Sequence, residues 1–364
     1  MTAQAAVRRY PSGVSEPLIE RARASVEGLT PGYFALVMAS GILSIGMALK
    51  GHDILSLLLL LVCGTAFVVL LGLTVWRFVA YRGAFNEDFL DPRRAFGFFT
   101  FVAGTNVLGV RLGMEGYHSA TATLLALAGG AWLVLGYVVP WTAVLGNQQR
   151  PVLATANGTW FIWAVASQSV TIAAASIEPV VETGRSALAL LAVVSWSVGV
   201  FLYAATGMLV SLRLVLYDFG PEELTPPYWV AMGGLAITVL AGARIVEMAD
   251  APMVEATRGL IAGLAVVFWA FATWLFPVLV AAGWWRHVSR RVPLRYEATL
   301  WSIVFPLGMY AVAGIYLGQA DQLPLVGRIA GVELWFAFAV GVLVFGAMVV
   351  HVSRTVFVRS PPPS

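Results

Sequence analysis

Apolar residues run along this chain in long blocks separated by short polar connections, the spacing of helices that cross a bilayer rather than of amphipathic surface helices. A spanning helix needs about 20 mainly apolar residues. That criterion predicts ten spans, over residues 31–49, 54–79, 96–114, 119–146, 158–177, 186–216, 228–249, 259–285, 299–320 and 329–353. Polar residues are unevenly shared among them. The odd-numbered spans carry Ser40 and Ser44, Thr105 and Asn106, Ser167, Gln168 and Ser169, Thr238, and Ser302, whereas the even spans are longer and rich in Leu, Val and Ala. A polar group at membrane depth needs a partner or water, so the odd spans are expected inside and the even spans outside, against lipid. Ser40, Thr105, Asn106, Ser167 and Gln168 are then candidate lining residues of a central path. Interhelical hydrogen bonding without a path is the competing account, and a single Ser or Thr can simply bond back to its own helix. Gly41, Gly104, Gly234 and Gly308 let helices approach closely, and Gly308 is also a lining candidate.

The odd spans resemble one another. Each opens on an aromatic residue followed by a small-residue core: Tyr33-FALVMASGILSIG, Phe98-FTFVAGTNVLG, Trp160-FIWAVASQSVTIA, Tyr228-WVAMGGLAITVLAG and Trp301-SIVFPLGMYAVAG. The opening aromatics lie 65, 62, 68 and 73 residues apart, which predicts five tandem helical hairpins. The ninth span carries Pro306 at its middle. Proline removes one backbone donor and clashes with the carbonyl four residues back, that of Ser302. In hydrocarbon a freed carbonyl needs protein or a water-filled cavity to receive it. This helix is therefore expected to face the interior or a pore, with Phe305 on the kink; simple packing is the alternative role for that ring.

Composition agrees with an all-α integral membrane protein. Of 364 residues, 59% are hydrophobic and 11% charged, with mean hydropathy +0.83, where ordinary globular domains carry roughly 25% charged residues. The charge balance of +3 and the absence of a basic run argue against nucleic acid as a partner. Arginine sets the expected orientation. The N-terminal lead, the connections after spans two, four, six and eight, and the C-terminal tail hold 16 of the 22 basic residues, including Arg8, Arg9 and Arg359; the other side holds 6. By the positive-inside rule both termini are cytoplasmic. The expected organisation is a cytoplasmic lead over 1–29, with a brief interfacial helix between Glu16 and Glu27, a membrane domain over 30–353 and a cytoplasmic tail over 354–364. No signal-peptide pattern opens the chain.

Enzyme chemistry finds little support. His52, His118, His287 and His351 lie at or beyond span ends, as does Lys50, the single lysine, so facing haem ligands and a buried Schiff base are not expected. Cys63 is the sole cysteine, and no Walker-A loop, H-E-x-x-H or G-x-S-x-G occurs. No cofactor or metal is expected. Asp91-Pro-Arg-Arg and Pro221-Glu-Glu read as capping and topology signals. The intramembrane charges Arg111, Arg244 and Glu247 lie toward the outer ends of odd spans. Arg111 and Arg244 are candidates for drawing anions into an outer vestibule; pairing of Arg244 with Glu247, or snorkelling of both arginines, is the alternative.

Four segments carry a family resemblance: TPGYF at Thr30–Phe34, DPRRAFGFFTFVAGTN at Asp91–Asn106, WFIWAVASQSV at Trp160–Val170 and, most specific, WSIVFPLGMYAVAG at Trp301–Gly314. Over residues 30–353 the chain resembles the tellurite-resistance/C4-dicarboxylate transporter family, which includes the plant guard-cell slow anion channels. The resemblance implies five hairpins around a central pore lined by the odd helices, several of them proline-kinked, in a homotrimer. It implies that a ninth-helix phenylalanine plugs the pore, by position in Trp-Ser-x-x-Phe-Pro Phe305 followed by Pro306. Phe276-Pro277 in the eighth span is a rival pair, but the preceding Trp-Ser and the odd-span register favour Phe305. The long cytoplasmic tails of plant members are not expected here, and spans three and five have no internal proline. The implied function is passage of small anions across the inner membrane: monovalent inorganic anions, dicarboxylates such as malate, or oxyanions such as tellurite and sulfite. A proton-coupled dicarboxylate carrier is the mechanistic alternative, although no mid-membrane carboxylate relay is evident. A non-transporting scaffold or enzyme subunit is the alternative of another class.

Overall fold

A computed structural model describes residues 18–148, 150–249, 251–320 and 323–357. Arg8, Arg9, Arg359 and the start of the expected interfacial helix at Glu16 lie outside the described residues; within them a helix runs Leu18–Glu27. Ten helices are long and apolar enough to span a membrane: Pro31–Leu49, Asp53–Ala80, Ala95–Met114, His118–Leu145, Gly158–Val180, Arg185–Leu216, Pro226–Val246, Pro252–Ser289, Ala298–Gln319 and Pro324–Thr355. They are numbered here as spans one to ten. Spans eight and ten start earlier than expected. Pro252 and Pro324 open them at a first-turn position that suits proline, and the charged residues Glu255 and Arg328 near those starts interrupt the apolar block that the sequence criterion counts. A short helix at Arg82–Leu90, too polar to span, joins spans two and three.

Two concentric layers account for the polarity split. In the most apolar stretch of each odd span 78% to 89% of residues are buried, against 17% to 33% in the even spans. The odd spans close a ring: one packs on three, three on five, five on seven, seven on nine, and nine back on one. Each even span packs against the odd span before it and touches the next odd span around the ring, span ten touching span one. The fold is thus five antiparallel hairpins in cyclic order, as the repeat predicts.

The layers are joined by polar contacts from the odd spans outward. Trp132 Nε1 donates to Ser167 Oγ (2.8 Å), Gln168 Nε2 to the Trp196 carbonyl (3.1 Å), and Trp196 Nε1 to the Thr238 carbonyl (3.2 Å). Thr171 and Ser195 hydroxyls meet at 2.8 Å. Each such bond removes the cost of a bare polar group in hydrocarbon.

Candidate functional site: two cavities on the axis of the inner ring

All five inner helices begin at the same end, which carries most of the arginines, and each begins with a 3₁₀ turn: Pro31–Phe34, Ala95–Phe98, Gly158–Trp160, Pro226–Trp229 and Ala298–Leu300. The turns touch in the same cyclic order as the spans and form a collar. Glycine makes two of the joints possible. A Cβ on Gly158 would lie 2.2 Å from the Pro227 carbonyl carbon, and one on Gly97 would lie 3.1 Å from the Gly32 amide nitrogen. Within the collar is a cavity of about 380 Å³ to which every one of the five turns contributes, through Gly32 and Tyr33, Gly97, Thr159, Pro227, and Ala298. Arg93, Arg94, Tyr296, Glu297, Ser302 and His351 are also in its wall. Five helix N-termini converge there, and the positive ends of their dipoles add to the two guanidinium groups. Arg94 is held by buried Asp88 (2.7 Å), which also pairs with buried Arg77 (2.7 Å). Burial pushes the Tyr296 hydroxyl above its ordinary range, so it stays a neutral hydrogen-bonding group at the mouth.

A second cavity, of about 200 Å³, occupies the other half of the ring. All five odd spans line it, with Ile42, Asn106, Ser169, Ile237, Arg244 and Met309 among the contributors. Helix C-termini, the negative dipole ends, surround this half. Arg244 offsets them, 23% exposed, ion-paired to Glu247 (2.5 Å) and 5.5 Å from the Tyr316 ring centroid.

Span nine passes between the two cavities, and its neighbours fix which way each residue points. A Cβ on Gly233 of span seven would meet the Pro306 ring at 2.9 Å, so Pro306 faces span seven; a Cβ on Gly308 would meet Ile42 at 2.9 Å, so Gly308 faces span one. At about 100° per residue, Phe305 projects into the arc between those two neighbours, toward the ring axis. Ser302 and Met309 lie in the same arc, and they line the first and second cavities respectively. They are two turns apart, about 10 Å along the helix, with Phe305 between them, 1% exposed. Ser302 is also the residue whose carbonyl Pro306 deprives of a helical donor. Phe276 is elsewhere: its ring lies edge-on to Trp229 (6.1 Å) and near Tyr310 (6.5 Å), between spans seven, eight and nine.

The other expected site residues separate into two groups. Asn106 and Arg244 line the second cavity. Ser40, Thr105, Ser167, Gln168, Gly308 and Arg111 line neither cavity. Ser40 and Thr105 bond back to the Leu36 and Phe101 carbonyls (2.7 Å each), satisfying their hydroxyls within the helix. Ser167 and Gln168 face spans four and six, as their bonds to Trp132 and Trp196 show, and Gly308 is a close contact of spans nine and one. Arg111 is 2% exposed and ties spans one, two and three together: Nε donates to Ser44 Oγ (2.8 Å), Nη2 to Ser56 Oγ (2.8 Å) and Nη1 to Glu115 (2.7 Å). Its charge is committed to that joint. Conversely, Arg93 and Arg94, read as a capping and topology signal, line the first cavity. Their place immediately before Ala95, where span three begins, is the signal that locates them.

Comparison with known proteins agrees with this architecture. The family model described as voltage-dependent anion channel matches residues 28–356. An uncharacterized membrane protein of Mycobacterium tuberculosis strain H37Rv is 62% identical over 157 residues, 43% of this chain and 80% of the relative. Two uncharacterized transporters of Methanocaldococcus jannaschii are 22% and 23% identical over 142 residues, 39% of this chain and 40% of each relative. With the ring of odd spans and a family match along nearly its whole length, the chain belongs to the voltage-dependent anion channel family, the tellurite-resistance/C4-dicarboxylate transporter family of anion-transporting helical membrane proteins that its motifs resemble.

Proposed function

We propose that small anions cross the membrane along the axis of the inner ring, from the arginine-lined cavity to the Arg244 cavity, and that Phe305 is the constriction between them. The observation that carries this reading is the alignment of Ser302, Phe305 and Met309 on one face of span nine, with a cavity at each end and a buried ring in the middle. The arginine-rich end faces the cytoplasm of the inner membrane, as the arginine asymmetry indicates, and the family resemblance supports a homotrimer. Anions are concentrated at the collar by Arg93, Arg94 and five helix N-termini, and at the far end by Arg244. Between these points the walls are apolar or weakly polar, which suits passage, since a site must release what it binds. Asn106, whose Nδ2 donates to Ser169 Oγ (2.9 Å), supplies polar groups to the wall of the Arg244 cavity together with Ser169. Candidate substrates are chloride, nitrate, sulfite and dicarboxylates such as malate.

The test is reconstitution of the native chain and Phe305→Ala in planar bilayers or proteoliposomes, with currents compared for those four anions. A gain of about tenfold or more on removing the ring is the expected result. Silence from both forms, or accumulation that requires a proton gradient, overturns it, the latter in favour of the coupled carrier.

A further inference from the structure

The geometry points to a binding site for the phosphate headgroup of an anionic phospholipid, outside the inner ring, between the ends of spans seven, eight and nine. A cavity of about 160 Å³ lies there, at the arginine-rich end, lined by Arg286, His287, Arg295 and Glu297 together with apolar Leu279 and Leu300. Arg286 is 8% exposed. Its Nη1 donates to three backbone carbonyls, of Pro221, Glu222 and Leu224, and none of these neutralises its charge. No carboxylate pairs with it among the described residues, and its Nε is buried without a hydrogen-bond partner. A buried guanidinium with a vacant donor is costly unless an acceptor arrives, and a phosphate oxygen is the acceptor that guanidinium geometry suits best. Exposed Arg295, in no ion pair among the described residues, supplies a second cation at the rim. His287 holds its Nδ1 against the Val292 carbonyl (2.8 Å). Glu297 is the one anionic wall residue, and its carboxylate accepts from Thr299 Oγ1 (3.1 Å), so two arginines against one carboxylate leave the site cationic.

The setting favours a lipid over a free phosphate ion. Leu294 on the cavity wall is exposed, as are Trp284 and Val288 elsewhere on the adjoining end of span eight, and tryptophan belongs to the headgroup level. Basic pockets between spans on the cytoplasmic side are a recurrent way of holding anionic headgroups. The site does not depend on anion conduction through the ring.

The full-length chain, delipidated and placed in phosphatidylcholine nanodiscs doped with phosphatidylglycerol, tests this by native mass spectrometry of the lipids it retains. Preferential retention of phosphatidylglycerol is expected. Arg295→Gln, an exposed change, is expected to weaken that preference about tenfold, the loss of one charge-assisted contact. Glu297→Gln is expected to strengthen it, an outcome that misfolding does not imitate. Equal retention of the two lipids, or a preference indifferent to both substitutions, overturns the site. Inorganic phosphate displacing phosphatidylglycerol and stabilising the chain as well in pure phosphatidylcholine overturns the lipid as its occupant.

Discussion

Two arginines that look alike in the sequence have opposite work. Arg111 and Arg244 both sit near the outer ends of odd spans, yet Arg111 is buried in a three-helix joint and Arg244 lines a cavity. Arg111→Gln removes the guanidinium donors to Ser44 and Ser56, whose hydroxyls keep each other's carbonyls (2.7 Å each), and breaks the Glu115 ion pair. It is expected to lower stability by about 2 kcal/mol, read as a fall in melting temperature in detergent. Arg244→Gln is expected to leave the melting temperature nearly unchanged, because its pair with Glu247 is partly exposed. The same substitution is expected to lower anion current in reconstituted bilayers, and unchanged current would remove Arg244 from the proposed path. Charge and span position, the only quantities available in the sequence, cannot separate the two. What separates them is the rotation of each helix about its own axis, set by neighbours far away in the chain.

At the scale of elements, the collar of 3₁₀ turns leaves little room for change. At two of its joints backbone meets backbone, Gly158 on Pro227 and Gly97 on Gly32, and a methyl group at Gly158 has no room. Gly158→Ala is expected to cost about 3 kcal/mol, at the upper end for overpacking; a melting curve like that of the native chain would mean that spans five and seven do not approach as described. Gly233→Ala acts on the kink as well, since its methyl would press on the Pro306 ring, including Cα at 3.3 Å, at a cost of about 1 kcal/mol. Moving the kink moves Phe305, so this substitution is expected to change the current as well as the melting temperature, and identical current–voltage curves would argue against it. The recurrence of an aromatic opening and a small-residue core made the hairpins legible in the sequence. The collar was not legible, because a 3₁₀ start differs from an α start only in the tightness of one turn.

For the whole molecule, the arrangement of the inner helices shapes an electric field. Five parallel inner helices place all their positive ends at one mouth, beside Arg93 and Arg94. Attraction of this kind is screened over about 10 Å at 0.1 M salt. Arg93→Gln is therefore expected to reduce anion current about twofold or more at low ionic strength, with the deficit shrinking as salt is raised. A deficit independent of salt would mean that Arg93 acts by contact and not through its field.

The sequence by itself determined the ten spans, their pairing into hairpins, the inner and outer layers, and the position of the Pro306 kink, because each follows from apolar run length, local repetition or a missing backbone donor. It also placed Phe305 on that kink, and through the family motifs marked it as the residue to watch. Only the tertiary structure decided which polar residues of the inner helices face the axis. Asn106 does, while Ser167 and Gln168, though equally buried, turn outward to indole and carbonyl partners on spans four and six. The physical reason is that a buried hydrogen-bonding group is satisfied as well by a neighbouring helix as by water in a cavity, and composition does not distinguish the two. Closure of five helices into a ring, with span nine packed back on span one, settles each rotation and so turns a list of polar positions into two cavities with a phenyl ring between them.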